Sequence, residues 1–268
     1  MTKKSKKPVK PVVKPFLKGS PTDERTWKSA LGFLGILAVA ALMTFLVCSM
    51  LTLDNPLLRI LLNLLVEGLV VALFYTNAIG RGTDAVARGE ILYQKQERGT
   101  PFADSERALC FHPLKGYLNG LLGSLPILLC ALALAVMARR QSTGFGVLPG
   151  WMNGYLARDE IGGALAAYTA HPGLTVEDVL RIIIRVVLMP FVSMIGSENR
   201  DGLLLLERLS PLLVLLPACA YGTGYLQGQR ERTRVHTGIA ESNRRRVRKE
   251  RKARKARTAA PRGPQQLN

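Results

Sequence analysis

Residues Leu31 to Leu53 form an apolar run of 23 residues without a single charged side chain. A helix needs about 20 mostly apolar residues to cross the roughly 30 Å hydrocarbon core of a bilayer. The run is too long for the apolar core of a signal peptide, and no A-x-A site follows it, so it reads as a retained span. That reading constrains everything after it, because an embedded chain must satisfy its backbone groups internally and does so with helices.

Three further segments fit the same template. Leu57 to Ile79 returns after the turn Asp54-Asn55-Pro56, Tyr117 to Ala138 follows a polar stretch, and Leu203 to Leu226 comes last. The expected fold is therefore all-α, a polytopic integral membrane protein with a bundle of 4–6 transmembrane helices and disordered basic termini. The spans fall at about 31–53, 57–79, 117–138 and 203–226 within a transmembrane domain of residues 27–228. Residues 81–116 form a cytoplasmic loop. The stretch Asp84 to Arg98 within it is expected to be helical, ended by Gly99, Thr100 and Pro101.

Charge is segregated along the chain. Residues 1 to 20 carry seven Lys and no acid, and residues 230 to 268 carry fourteen Lys or Arg against three Glu. The first end contributes +7 and the second +11, which accounts for the whole formal charge of +18. Residues 1–26 and 229–268 are thus basic tails on a neutral body. The positive-inside bias places both termini in the cytoplasm and the Asp54-Asn55-Pro56 turn outside. Compact loops point to the bacterial cytoplasmic membrane. Residues 1 to 20, rich in Lys, Pro and Val, and those after Pro261 are expected to be disordered.

Both termini on one side require an even number of crossings. In the four-crossing solution residues 140 to 202 lie outside, and 179–195 is interfacial, re-entrant or spanning. In the six-crossing solution a weak span falls between Phe145 and Tyr168. It would place Arg158, Asp159 and Glu160 at mid-membrane, where each charge costs about 2.5–3.5 kcal/mol. Four crossings is the preferred solution. A compositional echo between residues 31–79 and 179–226 raises the alternative of a duplicated hairpin.

Few constellations carry chemistry. Arg59, Asn63 and Glu67 recur at i, i+4 and i+8 and make one polar stripe on the second span. Intramembrane ionisable groups mark proton, ion or polar-substrate contacts. Asp178, Arg181 and Arg185 share a helix face, and Glu177 sits four residues before Arg181. Gly116, Gly120 and Gly123 form a small-residue face suited to helix packing. Cys48, Cys110, Cys130 and Cys219 are expected to be free structural thiols. His112 and His171 are isolated, and no catalytic order, metal spacing or phosphate-cradling loop is present, so no enzyme activity, metal or cofactor is expected.

The C-terminal cluster Arg244, Arg245, Arg246, Arg248, Lys249, Arg251 and Lys252 lacks interleaved aromatics, so it suits phosphate contact more than base stacking. Its expected helix continues the last span, with Glu241–Arg245 and Glu250–Arg254 as supporting pairs. In composition it resembles the ribosome-docking tails of membrane insertases, with no insertase motif beside it. The expected partners are the lipid bilayer, anionic lipid headgroups, other membrane proteins, and RNA or the ribosome. Three functions follow from these features. They are a non-enzymatic scaffold or accessory subunit of a membrane complex, a small transporter or channel using the Arg59/Asn63/Glu67 stripe, and a ribosome- or RNA-tethered membrane factor.

Overall fold

The structure is a computed structural model that describes residues 12–50, 53, 55–139, 148, 150–169, 175–196 and 199–259. The described residues are helical, with no strands. The helices are α1 (Thr26–Met50), α2 (Pro56–Glu97), α3 (Asp104–Ala108), α4 (Lys115–Met137), α5 (Gly162–Thr169), α6 (Val176–Val187), α7 (Met189–Ile195) and α8 (Arg200–Ala259), with a 3-10 turn at Gly150–Tyr155. Four of them, α1, α2, α4 and α8, are long and apolar enough to cross a membrane. The fold is a helical membrane bundle.

Local signals explain the helix limits. Asn55 caps α2, its Oδ1 accepting from the Leu57 and Leu58 amides at 3.0 and 3.4 Å. Pro56 takes the first helical position, where its missing N–H leaves nothing unsatisfied. At the far end Gly99 adopts φ +68°, and the Thr100 amide donates back to Lys95 O at 2.9 Å. This is the left-handed stop that glycine accommodates best. The sequence expected a span and a separate cytoplasmic helix here. They are one helix of 42 residues, because Gly80 and Gly82 are carried inside it without a break.

The chain divides into two compact units. The larger comprises residues 24–76 and 117–222. Its core joins Ala131, Leu134, Ile184, Leu188, Leu206 and Val214, from α4, α6 and α8. Phe33 of α1 packs on Phe74 and Tyr221, with ring centroids 4.9 and 5.3 Å apart. Leucines such as Leu61, Leu64, Leu65 and Leu69 remain exposed. In a bilayer that surface meets lipid tails as apolar as itself. Gly120 and Gly123 supply the close packing expected of them, since a Cβ on either would strike Ala218 or Ala30 and Phe33.

The segment 179–195 is neither one span nor one helix. It breaks at Leu188 (φ −100°, ψ 25°), just before Pro190, into helices of 12 and 7 residues. At 1.5 Å per residue neither piece reaches across a 30 Å core. Among the described residues between 148 and 169 no helix exceeds the eight residues of α5. The echo between 31–79 and 179–226 is likewise not structural, because two long helices stand against a broken pair and one of 60 residues. Asp54, Phe145 and His171 lie outside the described residues.

The smaller unit comprises residues 1–23, 77–116 and 223–268. Here α2 and α8 approach closely, since a Cβ on Gly228 would fall within 2.6 Å of the Gly82 Cα. Disorder was expected for residues 1 to 20, but residues 12–20 form an extended strap. Leu17 N donates to Gly89 O at 3.1 Å, Gly19 N to Phe111 O at 3.0 Å, and Val12 N to Thr237 Oγ1 at 3.0 Å. Phe16 meets Phe111 edge-on, and Phe111 stacks on Tyr225 at 5.2 Å. The aromatic anchor explains the order, because Lys-rich composition concealed one residue able to bury a large apolar area. Residues 1–11 and 260–268 lie outside the described residues.

Candidate functional site

The predicted polar stripe is divided by the structure into two parts. Asn63 is fully buried, and its Nδ2 donates to Arg59 O at 2.8 Å and to Ser193 Oγ at 3.1 Å. The Arg59 guanidinium lies against Gly196, at the end of α7, where φ is +84°. A side chain at position 196 would displace it. Arg59 and Asn63 therefore fasten the short helix α7 to α2. Glu67, one turn further along, takes no part in this. It makes no hydrogen bond or ion pair among the described residues and borders a cavity of about 20 Å³.

A second set of charges is brought together more tightly. Glu207 of α8 is 2% exposed and Arg181 of α6 is 3% exposed. Arg181 Nε donates to Glu207 Oε1 at 2.9 Å, and Arg185 donates to the same oxygen through Nε at 3.0 Å and Nη2 at 2.6 Å. Arg181 Nη2 also donates to Glu177 Oε1 at 2.7 Å and to Arg139 O at 3.2 Å. Asp178 also pairs with Arg181, at 3.5 Å, and closes a capping box with Thr175. The shared face of Asp178, Arg181 and Arg185 was readable from their spacing. Glu207 as the acceptor that gathers both arginines was not, since it lies 22 residues beyond Arg185.

Buried charges are retained when they are paired and hydrogen-bonded. This network meets that condition and joins α6 to α8 and to the end of α4. Proline placement is answered in the same way at one site. Pro211 lacks the N–H that would bond Glu207 O, and Ser210 Oγ donates to that carbonyl at 2.7 Å instead.

In the smaller unit, Glu90 of α2 is buried between two residues of α8. Its Oε2 accepts from Arg232 Nη2 at 2.9 Å, and its Oε1 lies 2.7 Å from His236 Nε2. Burial works against the Glu90 carboxylate, but hydrogen bonds from Arg232 and His236 outweigh it and hold its pKa below the ordinary value. Lys115 pairs with Asp23 and donates to Ala108 O at 2.9 Å. Burial raises the Cys110 thiol pKa against the opposing pull of Lys115, Arg88 and Arg107. All four cysteines are free thiols.

Residues Arg244, Arg245, Arg246, Arg248, Lys249, Arg251 and Lys252 all lie on α8 and are exposed. Arg245 pairs with Glu241 at 2.6 Å, as its spacing suggested. Glu250 pairs with Arg246 at 3.2 Å. Arg244, Arg248, Lys249, Arg251 and Lys252 make no ion pair among the described residues. Arg244, Arg248 and Arg251 recur at i, i+4 and i+7 and so form one row on the helix.

Comparison with protein-family models, curated proteins and solved structures returned no match, so the functional argument rests on these residues alone.

Proposed function

We propose that this is a non-enzymatic anchoring component of a membrane complex, which presents the basic segment of α8 to an anionic partner in the cytoplasm. The observation that carries this reading is the continuity of α8, one helix from Arg200 to Ala259. Arg244 lies 18 residues past Leu226, about 27 Å along the helix. The interval is braced against α2 by Glu90, Arg232 and His236 and by the Gly82–Gly228 approach. The basic cluster is thus the end of a supported helix, with its cations directed to solvent.

The setting that goes with this reading is a bacterial cytoplasmic membrane crossed four times, with both termini inside. The broken α6–α7 segment then enters from the outer side and turns back at its break. Four helices of sufficient length and an even crossing number support that topology. Single cysteines at positions 2, 55, 150, 200 and 265, in a background without the four native cysteines, test it. Positions 55, 150 and 200 label from outside, and positions 2 and 265 do not.

The favoured partner is RNA, including that of a ribosome. Headgroup attraction fades within a Debye length, about 8 Å at physiological salt, and the cluster begins well beyond that distance along the helix. With the full chain in nanodiscs of neutral lipid, a labelled single-stranded RNA binds with strong salt dependence. Replacing the five unpaired cations by Gln lowers the slope of log affinity against log salt by about 3.5. An unchanged slope would overturn the proposal. Binding only to nanodiscs carrying anionic lipid, with none to RNA, would reassign the partner to headgroups.

A further inference from the structure

Glu67 is the twelfth residue of α2, about 16 Å from its start and so near the middle of a 30 Å core. The cavity beside it, about 20 Å³, has room for one water-sized occupant. Four elements wall it, and three of them bring an acceptor or negative charge. Glu67 offers its carboxylate. Thr44 of α1 spends its hydroxyl proton on Ala41 O at 2.9 Å, which leaves its lone pairs free to accept. Leu213 of α8 has a carbonyl that lost its helical donor, because Pro217 has no N–H. Val187 and Leu188, at the junction of α6 and α7, complete the wall, and the Leu188 carbonyl is taken by the Phe191 and Val192 amides at 3.0 Å.

The contrast with Pro211 sharpens the point. There the released carbonyl is met by Ser210, whereas the residue before Pro217 is Leu216, which has no hydroxyl to offer. No Lys, Arg or His lines the cavity. Glu67 is the one charged group of the surrounding helices that lines it. Arg181 and Arg185 of α6 donate to Glu207 of α8, and Arg59 of α2 lies against Gly196. A pocket of acceptors walled by apolar helices favours an occupant that brings positive charge or protons. Helix breaks and carboxylates at the bilayer midplane are where coupling cations are held.

We propose that Glu67, Thr44 and the Leu213 carbonyl form an intramembrane site for one small monovalent cation. Two occupants share this chemistry, a sodium ion and a proton carried on Glu67 with one water.

The test uses the full chain in phosphatidylcholine nanodiscs and an apolar carbodiimide, with modification at Glu67 followed by peptide mass spectrometry. Glu67→Gln is the control for site assignment. Sodium at roughly ten times its dissociation constant slows modification about tenfold relative to choline at equal ionic strength. In Pro217→Ala, which returns an N–H to Leu213 O, that protection is lost while Glu67 still reacts. A rate that ignores sodium but falls with rising pH assigns the site to a proton. A rate unmoved by either sodium or pH overturns the proposal. Where the reagent does not reach Glu67, a sodium-dependent thermal shift that disappears in Glu67→Gln supports the site, and its absence in the parent chain at every pH overturns it.

Discussion

Glu207 and Glu67 are both carboxylates carried on apolar helices, yet their surroundings are opposite. Glu207 is 2% exposed and accepts three N–H bonds from two arginines. Glu67 accepts none among the described residues and faces a small cavity. Pairing makes the first a structural element, because its charge is neutralised where it stands. The second keeps an unmet requirement that an occupant from outside the chain can fill. Burial of a charge is therefore a poor guide to function until its partners are counted.

The comparison breaks most visibly at Glu207. Glu207→Ala leaves Arg181 buried without its main acceptor, and the expected loss is about 3–5 kcal/mol. It is measured as a drop in thermal stability in detergent. Replacing Glu207, Arg181 and Arg185 together with Leu, Met and Met removes the whole network. Stability then returns to within about 1–2 kcal/mol of the parent, since the carboxylates that lose Arg181, Glu177 and Asp178, are partly exposed at the start of α6. A triple variant as unstable as Glu207→Ala would mean the network does more than neutralise itself.

Glu90 extends the contrast into the smaller unit. Glu90→Gln weakens hydrogen bonds to Arg232 and His236, at an expected cost of about 1.5–3 kcal/mol. The depressed pKa of Glu90 gives its contribution a pH dependence of definite sign. The stabilisation is complete at neutral pH, begins to fade as pH falls below the unfolded value of about 4.3, and is gone below the folded pKa. Amide-exchange protection of residues 77–97 follows that course, and in Glu90→Gln it loses this acid component. Protection that falls equally in both chains would separate Glu90 from the bracing of α8.

Much of the fold was legible because bilayer physics leaves few choices. The four long apolar segments, the stop at Gly99 and the packing glycines Gly120 and Gly123 were all readable from composition and spacing. The C-terminal helix was readable too, because the Glu–Arg spacing and the scarcity of breakers favour it. The contacts between elements were not. Glu207 reaches Arg185 across 22 positions, and Ser193 reaches Asn63 across 130. Periodicity reports which residues share a face, and it carries no information about the face opposite. The strap at 12–20 was hidden for a related reason, since its order depends on Phe111 and Gly89 as partners. The site at Glu67 was half visible. A carboxylate near mid-membrane can be read directly, but the orphan carbonyl above Pro217 matters only once α8 is seen to wall the same cavity.

The smallest expected effect is the most discriminating. Glu67→Gln preserves shape and removes the charge, and with no partner to lose it should change stability by less than about 0.5 kcal/mol. A carboxylate desolvated without compensation is destabilising, so the small change is expected to raise stability in sodium-free buffer. The ranking of the two glutamates then follows from their partners alone, several kcal/mol for Glu207 and almost nothing for Glu67. A loss above about 2 kcal/mol at Glu67 would show that it is held by a bond to the chain itself. Its place in the comparison would then move to the side of Glu207, and the cavity would need no cation.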